Sequence, residues 1–128
     1  MTYTINSKSM YLIDIPTNVE IDGAMREIKI KKVVNIDFSK TTYTVKTRTD
    51  KTSNDIEVEL IPKSMSFLYE LMLIFPPSKY DYKIIRLAKK IEENKPFIII
   101  EIRVIEKATG TYKWHGKAIS EYSCKGRR

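Results

Sequence analysis

Glutamine is absent from this chain, cysteine, histidine and tryptophan occur once each, and glycine occurs only four times. Each scarcity excludes something. With Cys124 the only cysteine, neither an intrachain disulfide framework nor a thiolate metal cluster can form, and His115 alone cannot complete a structural zinc site. No apolar run approaches the roughly 18 residues that a membrane-spanning helix needs, and the start MTYTINSKSM lacks the basic-then-apolar pattern of a secretory signal. The chain therefore reads as soluble, expected in the cytoplasm and without a membrane partner. No glycine-rich phosphate loop is present, and His115 has no serine or cysteine at an informative spacing. The expectation is a protein with no catalytic residue, no metal and no cofactor.

The missing glutamine, together with 19 isoleucines and 17 lysines, fits the avoidance of labile amides and the lysine enrichment of a hyperthermophile, or an AT-rich genome. The first of these, including a virus or plasmid of such a host, is the reading adopted.

What is present is the composition of a globular domain, 42% hydrophobic and 30% charged over 128 residues, enough to bury roughly two thirds of the unfolded chain's surface. No repeat or linker divides it, so one domain is expected over 1–128, with 1–25 loosely structured and 121–128 a mobile basic tail. The formal charge of +7 is unevenly placed. Residues 1–60 hold nine basic and nine acidic side chains; residues 61–128 hold fourteen and seven. A one-sided basic excess attracts polyanions, nucleic acid above all.

Hydropathy alternation assigns strands at 27–38, 42–49, 56–61, 97–107 and 111–119, with one further short strand at 10–15. Lys32 interrupts the apolar face of the first, which suggests a bulge or bend there. The polar run DKTSND after Thr49 reads as a hairpin loop, with Lys46 opposite Glu59 and Arg48 opposite Glu57 as cross-strand ion pairs. Between the third and fourth main strands lies a helical insert at 64–94: a first helix N-capped by Ser64 and stopped by Pro76-Pro77, and a second running from Ser78 to about Asn94. The fold class is thus α+β, with a mainly antiparallel five-stranded curled sheet. Three strands, a helix and a hairpin in that order resemble the element order of the OB-fold, a small partly open barrel that commonly binds oligonucleotides. The resemblance covers 27–119, rests on order alone and transfers no residue roles.

Two groups of residues suit nucleic-acid binding. In the terminal hairpin, pairing Lys107 with Tyr112 sets Ile105 opposite Trp114. Ile98, Ile100, Ile102 and Val104 then face the core, while Arg103, Lys107, Tyr112 and Trp114 form an outer platform of cations and aromatics. On the expected second helix, Lys79, Lys83, Arg86 and Lys90 recur at intervals of four, three and four, a cationic stripe that could track phosphates. The favoured function is therefore non-catalytic binding of single-stranded DNA or RNA without strong sequence preference. Two copies would cover a useful length of strand, so a homodimer is admissible. An adaptor docking its basic half on an acidic protein is the alternative. A third reading starts from Asp81 with Glu101 and Arg103, which is similar to the Asp and Glu-x-Lys pattern of restriction-endonuclease-like nucleases; Arg103 in place of the lysine departs from it.

Overall fold

The computed structural model describes residues 2–47 and 56–121. The fold is mainly antiparallel β: an open six-stranded sheet, a separate two-stranded hairpin and, among the described residues, one short α-helix. Strands β1 (Thr2–Thr4), β4 (Thr42–Thr47), β5 (Ile56–Pro62), β6 (Tyr80–Glu92), β7 (Lys95–Glu106) and β8 (Tyr112–Glu121) form the sheet in the order β1-β4-β5-β6-β7-β8. Among the described residues, strands β2 (Lys8–Ile21) and β3 (Ala24–Asp37) pair only with each other, along their whole length. Helix α1 covers Tyr69–Ile74.

All five main strands of the sequence reading are present, the end of the second lying outside the described residues together with Arg48 and the DKTSND loop. Their assembly differs. An OB-like barrel requires the first three to form a meander, whereas β3 is paired with β2 and only β4 and β5 are neighbours. A 3-10 turn at Phe38–Lys40 carries the chain from the hairpin into the sheet, and the sheet does not close.

The stretch 1–25, expected to be loose, instead holds β1 and the fourteen-residue β2. Asp22 and Gly23 explain why: both have positive φ, 53° and 79°, which is the tight two-residue turn whose twist matches a hairpin. Nor does Lys32 mark a bulge. The β2–β3 ladder is unbroken, and Lys32 stands opposite buried Ile13, at the place where the ribbon leaves the core.

The helical insert is the largest correction. Only Tyr69–Ile74 is α-helical, preceded by a 3-10 turn at Ser66–Leu68. Ser64 caps no helix; its hydroxyl and amide bond to the Thr41 hydroxyl at 3.0 and 3.1 Å. The expected second helix is β6, which pairs with β7 from Tyr80 to Glu92 and carries a bulge between Ile84 and Arg86. That bulge places Ile84 and Leu87 on the same inner face although they are three apart, so a bulged strand imitates helical spacing.

The core lies between the inner face of the sheet and the near half of the β2–β3 hairpin. Ile98, Ile100, Ile102 and Val104 of β7 are all buried, as the alternation of β7 requires, together with Ile36, Tyr43, Leu60 and Leu87. Phe67 stacks on Phe38 and meets Tyr43 edge-on, with ring centroids 5.7 and 5.9 Å apart. Helix α1 plugs the open end beneath the hairpin, where Leu71 and Phe75 pack on Ile13 and Val34. Two polar contacts fix it. The Glu70 carboxylate accepts the Asn35 backbone N–H at 2.9 Å, which holds that carboxyl below its ordinary value. The Tyr82 hydroxyl donates to the Phe75 carbonyl at 2.6 Å, satisfying a helix-end acceptor, and burial raises the Tyr82 phenol.

Candidate functional site

The outer face of the six-stranded sheet has no layer over it among the described elements, and on it the two separately predicted cation groups meet. Side chains directly opposite one another in an antiparallel ladder share a face, so the register can be followed strand by strand. Lys83 on β6 faces Arg103 on β7, and Arg103 faces His115 on β8. Strand spacing of about 4.8 Å makes this a row of three basic side chains about 10 Å across. The neighbouring row is Arg86, Glu101 and Lys117. On the other side, Asp81, Ile105 and Tyr112 form the next row. Tyr112 is 57% exposed, and the Arg103 guanidinium lies over its ring at 4.9 Å.

The hairpin register differs from the expected one in a way that decides these positions. Ile105, not Lys107, pairs with Tyr112, and Val104 pairs with Trp114, so that Lys113 is an extra residue bulged out of the ladder. Tyr112 and His115 consequently point outward, while Trp114 turns to the inner face opposite buried Val104, where it is half-buried against both parts of the core. Trp114 is therefore not part of an outer platform. Its indole sits over Gly116, so closely that a Cβ at that position would overlap the ring. A shallow groove of about 350 Å³ runs beside it, between Met10–Leu12 of β2 and residues 114–118 of β8.

The remaining expected residues are dispersed. Lys79 sits in the turn before β6, where its N–H donates to the Pro76 carbonyl at 2.9 Å. Lys107 follows β7 with its ammonium 3.8 Å from Asp81. Lys90 lies at the far end of the sheet, opposite Phe97 and 3.9 Å from the Glu92 carboxylate. Of the eight residues singled out, then, Lys83, Arg86, Arg103 and Tyr112 are brought together. His115 and Lys117 were missed; their signal was the alternation after Trp114, hidden by the bulge.

Carboxylates shape the face. Arg86 is ion-paired with Glu57. Glu101 bonds to His115 Nε2 at 2.7 Å. Lys46 faces Glu59 on the β4–β5 half of the face, as the sequence register required. Among the described residues, Lys83 and Arg103 are in no ion pair. No known family matches this sequence, and no curated protein or solved structure matches it either.

The nuclease arrangement is not assembled. Asp81 stands opposite Ile105 and Glu101 is four residues further along β7, a separation of about 13 Å along the strand, too far for two carboxylates to share one ion. Among the described residues no group of three metal-ligating side chains comes together. Among the described residues no helix is long and apolar enough to cross a membrane.

Proposed function

We propose that the outer sheet face binds single-stranded nucleic acid, with Lys83, Arg103, His115 and Lys117 along the phosphates and Tyr112 offered to a base. The observation that carries this reading is the Lys83–Arg103–His115 row. Like charges set directly opposite one another in a ladder destabilise a sheet; Glu57 neutralises Arg86 and Glu59 stands opposite Lys46, whereas among the described residues Lys83 and Arg103 are in no ion pair. A polyanion relieves that repulsion. Tyr112 adds an exposed ring held in place by Arg103, and a π-face that accepts any base fits a ligand of no fixed sequence. Among the described elements no second layer covers this face, which leaves room for an extended strand with its bases splayed.

Titration of a labelled oligothymidylate by fluorescence anisotropy over a salt series tests this. Three cationic phosphate contacts, from Lys83, Arg103 and Lys117, predict a slope of log K against log salt near −2.1, from about −0.7 per contact on single strands. An adaptor for an acidic protein uses the same cations but makes no stacking contact. In that case Tyr112→Ala leaves the oligonucleotide affinity unchanged; on the proposed reading it weakens binding roughly tenfold, at about 1 to 3 kcal/mol per stacked base.

A further inference from the structure

The outer half of the β2–β3 hairpin has an apolar face that nothing in the described chain covers. Near the core that face buries Ile13, Val34 and Ile36. Past Ile15 it continues as Thr17 with Ile28, Val19 with Arg26, and Ile21 with Ala24, and every residue from Glu20 to Val33 is exposed. Ile21, Ile28 and Ile30 are 40, 39 and 47% exposed. An isolated two-stranded ribbon is marginal in water, so an arm of this length and composition gains stability from a covering surface. Its edges are unsuited to lateral pairing: Pro16 removes a donor from β2, and Lys29, Lys31 and Lys32 crowd β3. The face is what remains.

We infer that the arm is a self-association surface, its isoleucine face packing on that of a second copy of this chain. The charge pattern selects this occupant. Residues 14–32 hold four acidic side chains (Asp14, Glu20, Asp22, Glu27) and four basic ones (Arg26, Lys29, Lys31, Lys32), a net of zero in a chain of +7. Two copies repel through the rest of their surfaces but not through the arms. A nucleic acid or an anionic membrane, by contrast, gains no net attraction from a neutral arm. Asp14, Glu20 and Asp22 lie along β2 and the turn, while all four cations lie along β3 with Glu27, so one rim is net acidic and the other net basic, and each rim of one arm finds an oppositely charged rim on another. This inference is independent of what the outer sheet face binds.

Sedimentation velocity on the full chain, without nucleic acid and over a concentration series, provides the test. The expected result is conversion from the 15.0 kDa monomer to twice that mass as concentration rises. Ile28→Asp combined with Ile30→Asp should abolish the dimer, and Ile21→Asp, at the tip and away from the core, should weaken it at least tenfold. Leu12→Asp, on the opposite face of the same hairpin, should leave it intact. A monomer at every concentration overturns the inference, as does a dimer that survives Ile21→Asp with unchanged affinity.

Discussion

At the scale of single residues, Gly116 and Trp114 act as one unit. Gly116 has no side chain because the indole occupies the space above it, and the indole is there because the extra residue Lys113 shifts the β8 register and turns position 114 inward. Gly116→Ala should therefore displace the ring and cost about 1 to 3 kcal/mol of stability, the usual penalty for overpacking. Urea unfolding followed by the emission of Trp114, the sole tryptophan, would show this as a lowered midpoint; an unchanged midpoint would mean that the ring is not seated on the glycine. The sequence announces that 111–119 returns against 97–107, and the buried row Ile98, Ile100, Ile102 and Val104 is legible from alternation alone. The one-residue bulge is not, since a period of two carries no mark of where a register slips. That slip exchanges the faces, and with it Trp114 leaves the outer platform while His115 joins Tyr112 there.

At the scale of elements, the turns set the architecture. Asp22-Gly23 is a strong hairpin signal that a reading based on apolar alternation passes over, because Glu20 to Arg26 is too polar to look like a strand. The β6–β7 turn is quieter. Glu93 and Asn94 are its two residues, with φ of 53° and 67°, and Glu93 occupies a left-handed conformation that its side chain disfavours. Replacing the pair with Asn-Gly should stabilise the hairpin by about 1 kcal/mol, seen as a rise in Tm, whereas a fall would contradict this turn geometry. Strand β6 was hidden by its bulge: Lys83 and Arg86 are three apart and Arg86 and Lys90 four apart, a helical rhythm that a bulged strand reproduces while keeping all three on one face. The stripe thus lies on a strand and not on a helix, and Lys83, Arg86 and Lys90 share its outer face while Lys79 stays in the turn before it.

At the scale of the whole molecule, the sheet divides the charge. The inner face and the hairpin base form the core, and the arm is electrically neutral. The outer face gathers cations from three strands of the basic second half, with Glu57 ion-paired to Arg86, Glu59 opposite Lys46, and Lys83 and Arg103 set against each other. The basic excess after residue 60 is visible in the sequence; the meeting of Lys83, Arg86, Arg103 and Lys117 on one sheet face depends on long-range pairing that no local pattern encodes. The most direct measurement is oligonucleotide affinity at about 0.1 M salt for the native chain and for Lys83→Glu combined with Arg103→Glu, where charges within about 10 Å still act. The double variant should bind at least a hundredfold more weakly, with its Tm unchanged or raised as the opposed cations are removed. Equal affinity in the two proteins would contradict the assignment of this face.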